Sequence, residues 1–469
     1  MKTVLRTSVG VTLAIALIAL GSCASIPKTT LALPSQFANS SSAPYSNEPV
    51  VQAFWRSFED PKLDELVQRA LQANRDLRAA EARMRQARSL ANQSRFDFGP
   101  TGSVTVDHLK TTGGLFPGTS YGALGSANWE IDLFGRVRNS VRGRSADSEA
   151  ALADLHGVRV TVASETARVY FQLRGSSSRL AVAQANADNQ RQSLQLTLAR
   201  FEEGAGTELD LQRARTQLQT TLATIPQLET QQRQLLYQLA VLIGEIPSGF
   251  DEPGLLEVRE LTLPEFVPTG DATEWMRRRP DIRRAEARLA SAAAAAGVSL
   301  ANVFPKVSLT GAIRVTGAPT FSDLSNDALR TTQVGPSLSW AVLNIPKLLL
   351  DVSTQKARRD ESLAAYEQTV LNALAETETA FTSYRNSRQR ELELEAASVA
   401  SQRTEELSRI RFTEGAADFL SVLDAQRTQL QVADQLAQSH TDRATSLISV
   451  YKALGVGWEA AEAATQLQK

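Results

Sequence analysis

Apolar residues recur along this chain with two different periods, and the period changes more than once. Over 121–132, Tyr121, Ala123, Gly125, Ala127, Trp129 and Ile131 alternate with Gly122, Leu124, Ser126, Asn128, Glu130 and Asp132. The same period of two runs through 307–316, where Val307, Leu309, Gly311, Ile313 and Val315 share a face. It returns over 333–342 with Val334, Pro336, Leu338, Trp340 and Val342, and a weaker copy at 101–109 sets Val104 and Val106 against Ser103, Thr105 and Asp107. Such alternation predicts β-strands. Each run is about ten residues, the length at which a tilted strand crosses an outer membrane. A half-buried soluble sheet alternates as well. Here, however, each strand pair encloses a long Gly/Thr/Ser-rich loop (110–120, 317–330), as expected on the outer side of a membrane barrel.

Elsewhere the period is helical. Leu63, Leu66, Val67, Ala70 and Leu71 predict a helix over about 62–96, and a second spans about 271–302. No proline falls between Pro117 and Pro226 or after Pro346, and within 347–469 the only glycines are Gly415, Gly455 and Gly457. Breakers are therefore missing for about sixty residues ahead of two related motifs, which predicts helices roughly 90 Å long. Helices of that length need a repeated packing seam. Gly204–Gly206 and Gly415 read as tight turns between antiparallel helices, with Thr207 and Asp418 placed to cap the returning helix.

The two motifs belong to an internal duplication. Asp76–Arg83 returns as Asp281–Arg288 with six of eight residues identical, at an offset of 205. Pro100 maps to Pro305, Trp129 to Trp340, Arg200–Gly206 to Arg411–Ala417, and Arg215–Leu218 to Arg427–Leu430, with offsets drifting only to 212. A period near 200 is too long for a solenoid and fits two copies of a structural half. Each half reads helix, strand pair, long helical hairpin. The first repeat is 51–245 (strand pair about 100–132, hairpin about 136–245) and the second 271–458 (strand pair about 304–343, hairpin about 347–455). A proline-rich link occupies 246–270, and a tail 459–469.

The leader places the chain. Lys2 and Arg6 precede an apolar run, Val9–Leu20, too short to span a bilayer, so 1–22 reads as a signal peptide. Leu20-Gly21-Ser22-Cys23 resembles the bacterial lipobox, and Cys23 is the sole cysteine. The resemblance implies a covalent lipid on Cys23. With Ala24 rather than Asp behind it, it also implies outer-membrane sorting. Residues 23–50, rich in Ser, Pro, Asn and Thr, read as an extended lipidated tether. A lone cysteine excludes an intrachain disulfide. The net charge of −1 gives no bias toward nucleic acid. Membrane strands must close, because an open edge leaves backbone groups unsatisfied in lipid. Four strands cannot close, as known single-chain barrels begin at eight, so the chain must oligomerise.

The order of elements behind a lipobox resembles the TolC/OprM-like outer-membrane efflux factors, in their lipoprotein, NodT-like branch. The residues that carry the likeness are Trp129–Arg138, Arg277–Arg288, Val422–Arg427 and Tyr451–Trp458, and it covers about Trp55 to Trp458. One departure is Leu343–Leu348, where the second repeat usually has a Gly-containing turn like Phe134-Gly135-Arg136. The resemblance implies an α+β membrane protein: a homotrimer whose four strands per chain make a twelve-stranded β-barrel, continued by a twelve-helix periplasmic α-barrel. It implies a passive exit duct of a tripartite pump, docked to a periplasmic membrane-fusion adaptor and an inner-membrane transporter of the RND type.

The same resemblance assigns residues. Leu420 and Asp424, four apart on one helix face, match the rings that narrow the closed periplasmic end. Their first-repeat counterparts are Leu209 and Gln212 or Arg213, so only the second repeat supplies an acid. Phe201, Gly204, Gly206 and Thr207, with Phe412, Gly415 and Asp418, would form the tips that meet the adaptor. Catalysis and metal chemistry find no support: His108, His156 and His440 lack ligand spacing, and no phosphate loop or nucleophile motif appears. Glu376, Glu378, Glu391, Glu393 and Glu395 read as a solvated helix face. No cofactor is expected beyond the lipid. The rival reading is a structural coiled-coil lipoprotein or an adaptor subunit, which would lack the duplicated strand pairs.

Overall fold

The computed structural model describes residues 31, 36–40, 44–46, 48–49, 51–113, 118–258, 262–271, 274–275 and 278–459. Cys23 and the leader lie outside them. The chain separates into two compact units, one holding Ala82–Asp154 and Asp281–Thr369, the other Ala32–Glu81, Leu155–Pro280 and Val370–Lys469. The strands are β1 (Tyr45–Ser46), β2 (Thr101–Thr111), β3 (Gly118–Ile131), β4 (Val267–Pro268), β5 (Lys306–Ala318) and β6 (Arg330–Ser339). The helices are α1 (Pro61–Ala73), α2 (Arg75–Arg95), α3 (Arg136–Glu202), α4 (Glu208–Leu242), α5 (Pro280–Ala301), α6 (Ile345–Thr413) and α7 (Phe419–Ala453). No helix among the described residues is long and apolar enough to cross a membrane.

The first unit is organised by a four-stranded antiparallel sheet of order β2-β3-β5-β6, with β2 and β6 as its edges. Residues paired across antiparallel strands share a face. The register aligns Val104 with Gly125, Gly125 with Ile313, and Trp129 with Leu309, which in turn meets Pro336. The apolar sets of all four strands therefore fall on one face, and Ser103, Ser126, Ala312 and Gln333 fall on the other. That apolar face is uncovered within the chain: Val104 is 80% exposed and Val334 74%.

The two strand-to-helix junctions of this unit are built differently. In the first, the Asp132 carboxylate accepts the amides of Val137 (3.1 Å) and Arg138 (2.9 Å), so an acid caps α3. Arg136 forks onto Glu130 with both contacts at 2.6 Å. In the second, a 3₁₀ turn at Val342–Asn344 leads into α6 at Ile345, with Pro346 in its first turn. Proline suits that place because its missing N–H would have no helical partner there.

α3 and α4 form one helical hairpin and α6 and α7 the other; Arg136–Asp154 of α3 and Ile345–Thr369 of α6 belong to the first unit, and the rest of both hairpins to the second. α3 has 67 residues and α6 69, so each runs roughly 100 Å at the usual helical rise. The helix expected over 62–96 is two helices. Asn74 leaves the helical region (ψ 133°) and its side-chain oxygen accepts from Asp76 (3.0 Å) and Leu77 (3.1 Å), capping α2. An asparagine that can bond its own neighbours breaks a helix that apolar spacing alone would continue. The aromatic core gathers Phe54, Phe58, Phe171 and Tyr451, with Phe54 stacked on Tyr451 at 5.2 Å. Part of the segment read as a tether is docked. Phe37 and Tyr45 are buried, and Glu378 accepts the amides of Ala38 (2.8 Å) and Asn39 (3.0 Å).

Candidate functional site

Each helical hairpin turns through the same backbone motif. In the first, the amide of Ala205 reaches the Arg200 carbonyl (2.8 Å) and that of Gly204 the Phe201 carbonyl (3.0 Å). In the second, Ala416 reaches Arg411 (2.8 Å) and Gly415 reaches Phe412 (3.0 Å). This pair of hydrogen bonds is a Schellman closure, which needs a left-handed residue after the helix. Gly204 (φ 77°) and Gly415 (φ 74°) supply it. The returning helices are capped as their sequence suggests: Thr207 Oγ1 accepts the Asp210 amide (3.1 Å), and Asp418 Oδ1 the Ser421 amide (3.2 Å). The Ser421 hydroxyl and amide together hold the Asp418 carboxyl below the usual carboxylate range.

Beneath the turns lies a small core of Ala214, Phe412, Phe419, Val422 and Leu423, flanked by Leu194 and Leu196. It joins the two hairpins. Arg200 donates to the Phe412 carbonyl (2.7 Å) while its guanidinium lies 4.6 Å from the centre of the Phe412 ring. Further along, Arg427 of α7 donates to Gln217 of α4 (2.8 Å), and Gln426 to Ser193 of α3 (2.7 Å). Arg179 of α3 forks onto Asp434 of α7 (2.7 and 3.1 Å).

The residues singled out from sequence divide into two groups. Phe201, Gly204, Thr207, Gly415 and Asp418 lie at the surface of the turns, and Gly206 is half-buried. Phe412 does not: it is turned inward against Phe419, at 5.6 Å between ring centres, and supports the turn from below. Leu420 is 41% exposed and Asp424 is exposed, on the side of α7 away from the buried Phe419, Val422 and Leu423. Their counterpart Leu209 is exposed too, whereas Arg213 pairs with Asp210 at 3.6 Å.

Sequence reading passed over the bridging residues. Arg200, Gln217 and Arg427 sit in helices crowded with similar side chains, and only their packing distinguishes them. Glu391 is the sharper case. Placed in a run of glutamates, it reads as solvated, yet it is 3% exposed. Its carboxylate lies between His440 Nδ1 (2.5 Å) and Arg443 Nη1 (2.6 Å), tying α6 to α7. Burial pushes the Glu391 carboxyl up, but these two partners outweigh it and leave it below the ordinary range. Glu391 raises His440 in turn, against the opposing effect of burial. Glu395 brings a third ligand-type atom within 4.8 Å. Because Arg443 and His440 already engage the one buried carboxylate, the arrangement works as an interhelical latch.

Residues 66–245 and 273–456 match the family described as outer membrane efflux protein. The chain belongs to this family. It is 32% identical over 467 residues to the pyoverdine export outer membrane protein OpmQ of Pseudomonas aeruginosa, spanning 94% of this chain and 95% of that one. It is 29% identical over 435 residues to nodulation protein T of Rhizobium leguminosarum bv. trifolii, with 91% and 92% covered. Among solved structures, the outer-membrane channel OprN superposes with a TM-score of 0.86 at 36% identity, over 93% of this chain and all of that one. The MtrE outer membrane channel of Neisseria gonorrhoeae, solved in its open state, superposes at 0.82 with 25% identity, over 93% and 99%. The protein is therefore an outer-membrane efflux protein with the fold of the outer-membrane channels. The coiled-coil lipoprotein and adaptor readings fall away.

Proposed function

We propose that three copies of this chain form the exit duct of a tripartite efflux pump. The observation that carries this is the four-stranded sheet with two unpaired edges and one uncovered apolar face. An outer-membrane sheet cannot keep open edges in lipid, so β6 of one copy pairs with β2 of the next until the wall closes. Three copies give a twelve-stranded barrel. The two helical hairpins of each chain then supply four helices to a twelve-helix periplasmic tunnel. Conduction is passive, with energy supplied by an inner-membrane transporter of the RND type through a periplasmic adaptor. Cys23 carries the lipid, and no cofactor takes part.

Leu420 and Asp424 form the constriction. Each is exposed in the chain, so a threefold arrangement gathers three leucines and three carboxylates without disturbing the small core beneath the turns. The exposed turn residues Phe201, Gly204, Thr207, Gly415 and Asp418 meet the adaptor, with Gly206 and Phe412 shaping the turn. In single-channel recordings of purified trimers, Asp424→Ala and Leu420→Ala should each raise closed-state conductance. Unchanged conductance in both variants would remove the gate assignment. Photo-crosslinkers at Thr207 and Asp418 should capture the adaptor. Capture solely from the 110–120 or 317–330 loops would overturn the docking assignment.

A further inference from the structure

The two strand-to-helix junctions occupy equivalent places in the repeats but differ in character. The first is charged and mutually paired, with Arg136 on Glu130 and Arg138 beside Asp132. The second runs Trp340-Ala341-Val342-Leu343-Asn344-Ile345-Pro346-Lys347-Leu348-Leu349-Leu350 and holds one charge, Lys347. Its apolar side chains are uncovered: Val342 is 49% exposed, Leu349 53%, Leu350 71% and Leu343 96%. A water-facing turn has no use for such a run.

Three features indicate what covers it. The run continues, along the chain, the apolar face of β6 that carries Val334, Pro336 and Leu338. Trp340 is 50% exposed while its indole N–H is satisfied by the Val303 carbonyl (3.1 Å). Trp129 repeats this at the first junction, donating to the Phe98 carbonyl (2.8 Å). Half-exposed tryptophans with a satisfied polar tip are the mark of a membrane–water boundary. Finally, exposed Lys347 stands among the leucines, as a long cationic side chain does when its stem lies in lipid and its ammonium reaches the headgroups.

We infer that the second junction, Trp340–Leu350, is immersed in the periplasmic leaflet of the outer membrane, whereas the charged turn of the first junction stays in water. The inference rests on the sheet being membrane-spanning. The partner is phospholipid, and the departure from the family turn at 343–348 is the means of binding it.

Cys23 is the sole native cysteine, so single added cysteines can be spin-labelled in the full-length protein, with unsubstituted protein as background. Labels at Val334→Cys, Leu343→Cys, Leu350→Cys and Arg138→Cys are compared in phosphatidylethanolamine/phosphatidylglycerol vesicles. Collisions with oxygen report lipid, and collisions with a nickel chelate report water. Positions 334, 343 and 350 should favour oxygen, and position 138 the chelate. If 334 favours oxygen while 343 and 350 favour the chelate, the inference is overturned. It is overturned equally if 343 and 350 meet neither reagent, since a second copy then covers them. If 334 itself favours the chelate, the membrane-spanning reading of the sheet fails and takes the inference with it.

Discussion

The two helical hairpins end in the same turn but are fastened by different chemistry. In the first, α3 and α4 are linked by a neutral contact, the Gln232 amide donating to the Ser177 hydroxyl at 2.8 Å. In the second, α6 and α7 are locked by the buried Glu391 between His440 and Arg443, with Arg390 pairing to Asp442 at 3.1 Å nearby. The tips differ in the same sense. Arg200 crosses to Phe412, whereas its counterpart Arg411 stays exposed. Duplication repeated the backbone geometry and left the charges to diverge. A neutral hydrogen bond exchanges with water at little cost, but a buried carboxylate cannot lose its partners without stranding charge. The first hairpin is thus expected to yield first when the helical hairpins are perturbed.

The contrast is broken most directly at Glu391. Replacing it by alanine leaves the largely buried Arg443 without its carboxylate, while the 40% exposed His440 turns to water, and should cost about 2–3 kcal/mol of local stability. Gln232→Ala should cost about 1 kcal/mol. Amide exchange along α7 and α4 measures both, and equal losses would erase the distinction. The latch also has a pH signature. Because Glu391 raises His440, its stabilising share is complete below the ordinary histidine pKa of about 6.5 and is lost as pH rises through the higher folded value. Glu391, being depressed, contributes above the ordinary carboxylate range and fails only as pH falls through its lower folded value. Protection in α4 should be flat between these limits.

A smaller effect is expected where the hairpins meet. Arg200→Ala removes a charge-assisted hydrogen bond and a ring contact, together about 2 kcal/mol at a half-buried site. Arg411→Ala should change stability by less than about 0.5 kcal/mol. Exchange at the Gly415 and Ala416 amides reports the difference, and matching losses would mean that the tips are not distinguished by this crossing. The caps form the mildest test. Thr207→Ala should cost about 1 kcal/mol at any pH, because a hydroxyl has no charge to lose. Asp418→Ala should loosen the start of α7 at neutral pH and change nothing once acid has protonated the native carboxyl, with the Ser421 amide as reporter. A pH-independent Asp418 effect would show that the carboxylate charge is irrelevant to the cap.

Much of this was legible one residue at a time. The strands could be read because one face of each is apolar, so a period of two survives in the sequence. The hairpin turns could be read because glycine at a left-handed position, followed by Thr207 or Asp418, is a local requirement. Other features could not be read so. Asn74 interrupts a helix by bonding its own neighbours, a choice that apolar spacing does not reveal. Phe37 is covered by Trp275 and Phe381, remote in the chain, so 36–40 looks like tether until it is docked. Phe412 has the composition of a surface tip and the position of a core residue.

What the chain determined by itself is its periodicity: four alternating strands with a common apolar face, two long helices free of proline beyond the first turn, and a doubled order of elements. These follow from interactions within a few residues or along one face, and so are written in the order of side chains. Tertiary structure decided which of many alike polar residues carry weight. Glu391 and its neighbouring glutamates are chemically the same. Burial beside His440 and Arg443 makes one of them a latch, because the energy of a charge depends on what surrounds it and not on what precedes it in the chain.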